Sequence, residues 1–198
     1  MPPSSPPSDY ASLLASRGSA LKASLQPSLS QQRDLTCEFG SGHGHFLTAY
    51  AHSHPGEFCV GVDILEDRIT RAQRKRDRAE LPNLHFLRAE ATLFLNTLPA
   101  EVLIRRAFVL FPDPWPKTRH HKHRLIQTAF LTLLRSHAMA GAELFFRSDH
   151  APAFENARAL VSSHASWRIS DRPWPFEFET VFQQRAPHYF SFCAEALP

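Results

Sequence analysis

The sequence predicts an α/β fold: a mostly parallel central sheet flanked by helices and ending in an antiparallel C-terminal hairpin. Short apolar, β-rich runs alternate with longer amphipathic stretches as far as Asp149, and strands joined through helices lie parallel to one another. Beyond Asp149 one helical stretch is followed by two strand-like runs, which suits a closing hairpin. Pro55-Gly56, Asn83 and Gly141 stand just ahead of strand-like runs and supply the breaks between units. A chain of 198 residues with 43% apolar content is long enough to bury one full core.

The first residues, MPPSSPPS, are too rich in proline and serine to pack. They read as a disordered tail over 1–8, leaving 9–198 as a single domain. From Asp9 to Leu29, the residues Leu13, Leu14, Leu21 and Leu25 recur near helical spacing, so a short leading helix is expected. Strands are expected over Leu35 to Phe39, Phe58 to Asp63, Leu84 to Ala89, Arg105 to Phe111 and Ala142 to Ser148, each an apolar run too short for a helix. The stretch Arg68 to Arg78 is strongly basic but is preceded by Glu66 and Asp67, the charge order a helix dipole favours, and reads as a surface helix. A further helix is expected from Ala151 to His164. Trp167 to Ser170 and the run from Tyr189 to Ala194 then form the hairpin strands, separated by a proline-rich turn.

The formal net charge is only +3, yet basic residues crowd into Arg68 to Arg78 and Lys117 to Arg124. Such local patches, more than the total, mark contact with an anionic partner. Cys37, Cys59 and Cys193 lie far apart in apolar runs with no CxxC pair, which suits buried free thiols in a reducing cytosol. No apolar stretch reaches the roughly 20 residues of a membrane helix, and Met1 is followed by prolines and serines, unlike a secretion signal. A cytoplasmic protein without membrane association is expected, as a monomer or a homodimer.

After the first strand comes Cys37-Glu38-Phe39-Gly40-Ser41-Gly42-His43-Gly44-His45-Phe46, a glycine-rich turn running into a helix. Gly40, Gly42 and Gly44 allow tight backbone geometry and let a ligand approach the start of a helix, where the dipole is positive. The dinucleotide fingerprint GxGxxG requires glycine at 45, where the chain has His45, so a ligand without a pyrophosphate fits better. Asp63 closes the second strand, where ribose hydroxyls are held in nucleotide-binding α/β folds, and Glu90 closes the third. Acids in such places also serve as helix caps.

Between Phe111 and Arg124 the chain reads FPDPWPKTRHHKHR, at the carboxyl end of the fourth strand, where open α/β sheets bind ligands. Pro112, Pro114 and Pro116 stiffen it, Asp113 gives one acid, and Trp115 gives a stacking surface or fills a pocket wall. Lys117, Arg119, Lys122 and Arg124 form a cluster suited to nucleic-acid phosphates. His120, His121 and His123 are poorly spaced for a closed tetrahedral metal site and have no cysteine nearby, so no metal is expected.

Taken together, the turn in CEFGSGHGHF, the acid in GVD, the AEA step after the third strand and FPDPWPKTRHHKHR resemble the tRNA (guanine-N7)-methyltransferase family. The resemblance runs from Leu35 to Asp149. It implies a Rossmann-like class I methyltransferase fold, S-adenosylmethionine as cofactor and tRNA as partner, the target being a variable-loop guanosine. Glu38, Asp63, Glu90 and Asp113 then look like cofactor contacts, with Asp113 also catalytic, and Lys117 and Asp149 like substrate contacts. Thr180 matches a substrate-binding threonine of the family, whereas Gln183 stands where the family carries a glutamate. Asp63 in place of glutamate, Thr118 and His123 in place of basic residues, and Ser148 in place of threonine mark a divergent member.

Guanine N7 carries a lone pair and no proton, so this chemistry calls for orientation more than for a strong base. Asp113 could accept from guanine N1–H and N2–H₂, which adenine does not offer in the same arrangement. Two alternatives remain open on the sequence. One is an amino methyltransferase acting on adenine or cytosine, because Asp113-Pro114-Trp115-Pro116 is similar to an acid-Pro-Pro-aromatic motif. The other is a non-catalytic RNA-binding homologue that has kept the fold.

Overall fold

The strand β1 (Asp34–Phe39) is buried along nearly its whole length, with only Asp34 partly exposed. A strand covered on both faces belongs at the middle of a parallel sheet. It pairs in parallel with β2 (Cys59–Asp63) on one side and β4 (Leu103–Leu110) on the other. Outside these, β3 (Leu84–Arg88) and β5 (Ala138–Ser148) add in parallel to β2 and β4. The last strand, β7 (Phe190–Ala196), inserts antiparallel between β5 and β6 (Trp167–Ser170). The seven-stranded order is β3-β2-β1-β4-β5-β7-β6, the mostly parallel α/β sheet that the alternating pattern predicts. This computed structural model describes residues 16, 18–19, 21–23, 34–180, 183–184 and 188–198. The Pro/Ser tail lies outside the described residues, as do Leu13, Leu14 and Leu25, while Leu21 is helical and buried in the core.

Helices α1 (His45–Ser53) and α2 (Glu66–Arg78) cover one face, packing Phe46, Leu47, Tyr50, Ile69 and Ala72 against Phe86, Phe108 and Phe145. On the other face, α3 (Ala91–Thr97), α4 (Thr128–Ser136) and α5 (Ala151–Ser163) bring Phe94, Phe130, Leu131, Phe154 and Val161 against Phe39, Leu144 and Phe146. Successive residues of a strand face opposite ways, which is how β5 serves both cores at once. The basic helix α2 buries only Ile69 and Ala72, as a surface helix should.

Three expectations are corrected. Gly141 does not precede β5 but lies inside it at φ 75, where the pairing with β4 jumps from Ile104↔Ala138 to Arg106↔Glu143. Two residues of β4 stand opposite five of β5 there, so three extra residues loop out of β5 in an enlarged bulge, and the glycine sits among them in the left-handed backbone the bulge requires. Secondly, β4 starts before Arg105 and stops at Leu110, because Phe111 turns out of the strand at φ 51. Thirdly, the proline-rich turn after β6 is a structural strap. Its Phe176 meets the rings of Phe46, Tyr50 and His54, and its Trp174 lies 5.1 Å from Phe145. The strap completes the cover of the face that carries α1 and α2.

Helix α1 starts at Gly44, whose φ is 70 and whose absent Cβ would come within 2.5 Å of Phe86 and 2.8 Å of Ala72. Gly44→Ala is expected to lower the unfolding free energy by about 2–4 kcal/mol, combining overpacking with left-handed strain. Urea denaturation measures it; a loss below about 0.5 kcal/mol would contradict the close packing.

Candidate functional site

The carboxyl ends of the parallel strands form one edge, and register fixes what lies level along it. Glu38 is level with Gly61 of β2 and Phe108 of β4, and Asp63 with Arg88 of β3. The turn after β1 takes its shape from β2. The amides of Gly40 and Ser41 donate to the Val62 carbonyl at 2.8 and 3.0 Å, and the Gly42 amide donates to Asp63 Oδ2 at 2.9 Å. Asp63 Oδ1 accepts from the Leu65 amide at 2.9 Å, and Arg68 stands 3.7 Å from Oδ2. Asp63, expected to hold ribose hydroxyls, is therefore buried and is first of all the brace of the glycine turn. Gly40 and Gly42 have φ of 79 and 53, and a Cβ on either would meet nothing within 4 Å. The space above them is open to a ligand, whereas Gly44, expected in the same role, is required by packing.

Among the described residues, three buried polar atoms around this turn lack any hydrogen-bond partner: Glu38 Oε2, Ser41 Oγ and Thr48 Oγ1. Folded proteins rarely leave such groups unpaired, and a cluster of them marks a place where a polar ligand or water belongs. Burial pushes the Glu38 carboxyl well above its ordinary range; the Leu47 backbone amide pulls the other way, and the charge of Asp63 adds to the rise. A cation against Oε2 would reverse that shift.

Glu90 stands at the N-cap position of α3 with no side-chain cap bond, so its exposed carboxylate is not spent on the helix. Beside Asp63, Ile64 and Leu65 are 61% and 42% exposed and form an apolar shelf on the same edge. Sequence reasoning passed over them, although two aliphatic residues between a strand-ending acid and the acidic start of a helix were a signal.

The Asp113 loop leaves the edge through two non-glycine residues in the left-handed region, Phe111 at φ 51 and Trp115 at φ 43. Such residues store about 1–3 kcal/mol each and need support. Arg124 gives it. Expected on the phosphate clamp, it is instead turned inward, buried, and donates to the carbonyls of Pro114 at 2.8 Å and Trp115 at 3.4 Å and to Asn156 Oδ1 at 3.2 Å. Asp113 remains exposed, beside a cleft lined also by Arg124, Phe146 and Asn156. Trp115 is partly exposed, its ring 5.1 Å from His123 and 5.8 Å from His120. Lys117, Arg119 and Lys122 are exposed on and before the 3-10 helix Thr118–His123. Asp149 is exposed just past β5.

Thr180 and Gln183, expected as substrate contacts, bond to each other. The Gln183 amide donates to Thr180 Oγ1 at 3.2 Å and the Thr180 amide donates to Gln183 Oε1 at 3.0 Å. This reciprocal pair is a capping box, in which glutamine serves as well as glutamate. Gln183 is buried by that role, so its departure from the family pattern preserves the local fold.

Because Glu38 has a raised folded value, its contribution to stability is full below its ordinary value of 4.5 and is lost as pH climbs toward the folded value. Glu38→Gln cannot ionise. The margin by which its thermal midpoint exceeds that of the unaltered, ligand-free protein is expected to widen between about pH 5 and about pH 8. A margin constant with pH would show that Glu38 titrates normally.

A family model described as "Putative methyltransferase" matches residues 32–184. A tRNA (guanine-N(7)-)-methyltransferase of Thermosynechococcus vestitus is 30% identical over 154 residues, covering 73% of this chain and 71% of that protein. One from Thermus thermophilus is 29% identical over 151 residues, covering 76% of this chain and 49% of that protein. The chain thus spans about half the length of some of the curated relatives it matches. Among solved structures, the 16S rRNA methyltransferase KamB aligns with a TM-score of 0.65 at 20% identity, covering 89% of this chain and 94% of that one. A 16S rRNA (adenine(1408)-N(1))-methyltransferase from Catenulisporales acidiphilia, solved with cosubstrate SAM, aligns with a TM-score of 0.61 at 19% identity, covering 89% and 92%. At such identities the structural likeness is one of fold. The fold, the matching model and the relatives agree, and this chain belongs to the tRNA (guanine-N(7)-)-methyltransferase family.

Proposed function

We propose that the chain transfers a methyl group from S-adenosylmethionine to N7 of a guanosine in tRNA. The observation that carries this reading is the cluster of unpartnered polar atoms at the glycine turn, led by Glu38 Oε2, on the same sheet edge as the Asp113 loop. S-adenosylmethionine supplies a methyl group on a positively charged sulfur, together with an ammonium, ribose hydroxyls and an adenine ring. Glu38 suits the ammonium, because a cation there satisfies a buried oxygen and restores the ionised carboxylate. Asp63 and Glu90 suit hydroxyl and amino donors, Gly40 and Gly42 leave room for close approach, and Ile64 and Leu65 suit the face of a purine.

On the substrate side, orientation is what the protein must provide, and fixed alignment can contribute as much as about 7–11 kcal/mol. Asp113 accepts from guanine N1–H and N2–H₂, which selects guanine over adenine and stabilises the positive charge the base acquires on methylation. Trp115 offers a ring beside it, and Asp149 stands at the next strand end. Lys117, Arg119 and Lys122 neutralise RNA phosphates. No described helix is long and apolar enough to cross a membrane, and we place the activity in the cytoplasm, where tRNA is the partner.

Incubation with labelled S-adenosylmethionine and unmodified tRNA should yield 7-methylguanosine on digestion and mass spectrometry. A methylated exocyclic amine would replace this reading with an amino methyltransferase, and tRNA binding without product would point to a non-catalytic homologue. Asp113→Asn is expected to cut kcat by about a hundredfold or more while calorimetric binding of S-adenosylmethionine stays within tenfold. Unchanged kcat would remove Asp113 from the mechanism.

The two roles now assigned to the basic segment separate by salt. Replacing Lys117 and Lys122 together by alanine should reduce the slope of log affinity for tRNA against log salt by roughly two. Arg124→Met should leave that slope intact and lower turnover through the loop. A reduced slope in the Arg124 variant would return it to the phosphate clamp.

A further inference from the structure

Arg147 is a charge placed inside the protein, 3% exposed near the carboxyl end of β5. It shares a face of that strand with Glu143 and Phe145, and each of these residues meets the strap. Glu143 accepts from Arg172 at 3.2 Å, Phe145 packs edge-on to Trp174, and Arg147 donates to Glu177 at 2.6 Å. The strap therefore runs alongside β5 toward its carboxyl end.

The guanidinium carbon of Arg147 lies 3.7 Å from the centroid of the Trp174 ring and 5.0 Å from that of Tyr189. One ring comes from the strap and the other from the residue just before β7. A planar guanidinium can lie against both rings while still donating to Glu177, a combination the compact ammonium of a lysine does not reproduce. Arg147 Nε has no hydrogen-bond partner among the described residues, so hydrogen bonding alone does not account for the residue. Its carbonyl accepts the Phe111 amide at 2.8 Å, which ties the same residue to the start of the Asp113 loop.

Tyr189 is the exposed end of this arrangement. It is 38% exposed, its ring meets Phe111 at 5.7 Å, and Phe190 beside it is 45% exposed. The antiparallel pair Phe190↔Ser148 puts Tyr189 one step further on, level with Asp149. An aromatic ring backed by a buried cation, braced at its edge and open to solvent, has the form of a stacking platform for a nucleobase.

We propose, on the tRNA reading given above, that Tyr189 stacks a base of the bound RNA and that Arg147 is the positioning residue that sets its ring. Stacking needs the ring and not the hydroxyl. Tyr189→Phe should therefore behave as the unaltered protein, and Tyr189→Ala should raise Kd and KM for tRNA by about tenfold or more, with kcat and S-adenosylmethionine affinity little changed. Arg147→Lys should produce the same KM effect, and the double variant Arg147→Lys, Tyr189→Ala should be no worse than Tyr189→Ala alone. A purely structural Arg147 would instead add its effect to that of Tyr189→Ala and weaken S-adenosylmethionine binding as well.

Unchanged tRNA affinity in Tyr189→Ala overturns the platform, and additive losses in the double variant overturn the positioning role. Should Arg147→Lys fail to fold, the Tyr189→Ala and Tyr189→Phe pair still decides the platform. Absence of 7-methylguanosine from the unaltered protein defeats the functional reading alone, because tRNA affinity still reports on stacking. No tRNA binding by the unaltered protein overturns both.

Discussion

The carboxyl edge of this sheet depends on the Asp63 carboxylate. One oxygen holds the Gly42 amide and the other the Leu65 amide, so the turn after β1 and the entrance to α2 are fastened to a single buried group. That fastening keeps the glycine turn from collapsing onto Glu38, which would pair its free oxygen and close the space above Gly40 and Gly42. A polar site left unsatisfied in the ligand-free fold costs stability, and only a frame rigid enough to resist local rearrangement can maintain it. Asp63 supplies the frame, and Glu38 is what the frame holds open.

A second set of charges lies toward the amino ends of the strands, away from that edge. Arg106 bonds Glu57, Glu143 and the hydroxyl of Tyr50, and Arg172 continues from Glu143 to Glu195. This chain of alternating charges spans β4, β5, β7, the loop before β2 and the strap, from the half-buried Arg106 and Glu57 out to the exposed Arg172. Replacing such a network by apolar residues is often neutral for stability, so its role here is better understood as register. It sets where along β5 the strap begins, and the alternation of Glu143, Phe145 and Arg147 then determines where the strap ends.

The legible part of the fold was the part governed by local pattern. Apolar runs fixed where β1 to β5 lie to within a few residues, and the acids after the strands and the FPDPWPK segment fall, as their order in the sequence implies, at the carboxyl ends of the parallel strands. Tertiary pairing was not legible. Nothing local distinguishes Arg124, which faces inward to two carbonyls and Asn156, from Lys122, which faces out. Proline at 173 and 175 indicated a turn, yet prolines equally suit an extended strap that donates no ladder hydrogen bonds, and Trp174 and Phe176 were its evidence. Thr180 and Gln183 were read for what they could offer a substrate, although a threonine followed three residues later by glutamine is also the signature of a helix cap.

Strain in the Asp113 loop connects architecture to chemistry. Phe111 and Trp115 both occupy left-handed backbone, a cost of roughly 2–6 kcal/mol together. The charge-assisted bonds from Arg124 to the Pro114 and Trp115 carbonyls are worth roughly 1.5–3 kcal/mol each, which is the same size. The Phe111 amide adds a further bond to the Arg147 carbonyl. A loop held in a strained shape by bonds of matching strength needs no ordering when substrate arrives, and Asp113 sits between the two strained residues. On the proposed transfer to guanine N7, a nucleophile with no proton to lose, catalysis is chiefly a matter of alignment, and an acid fixed in advance would be more useful than one with an adjusted acidity. On that proposal the buried Arg124 would serve the reaction only by holding the shape of the Asp113 loop, through its bonds to the Pro114 and Trp115 carbonyls.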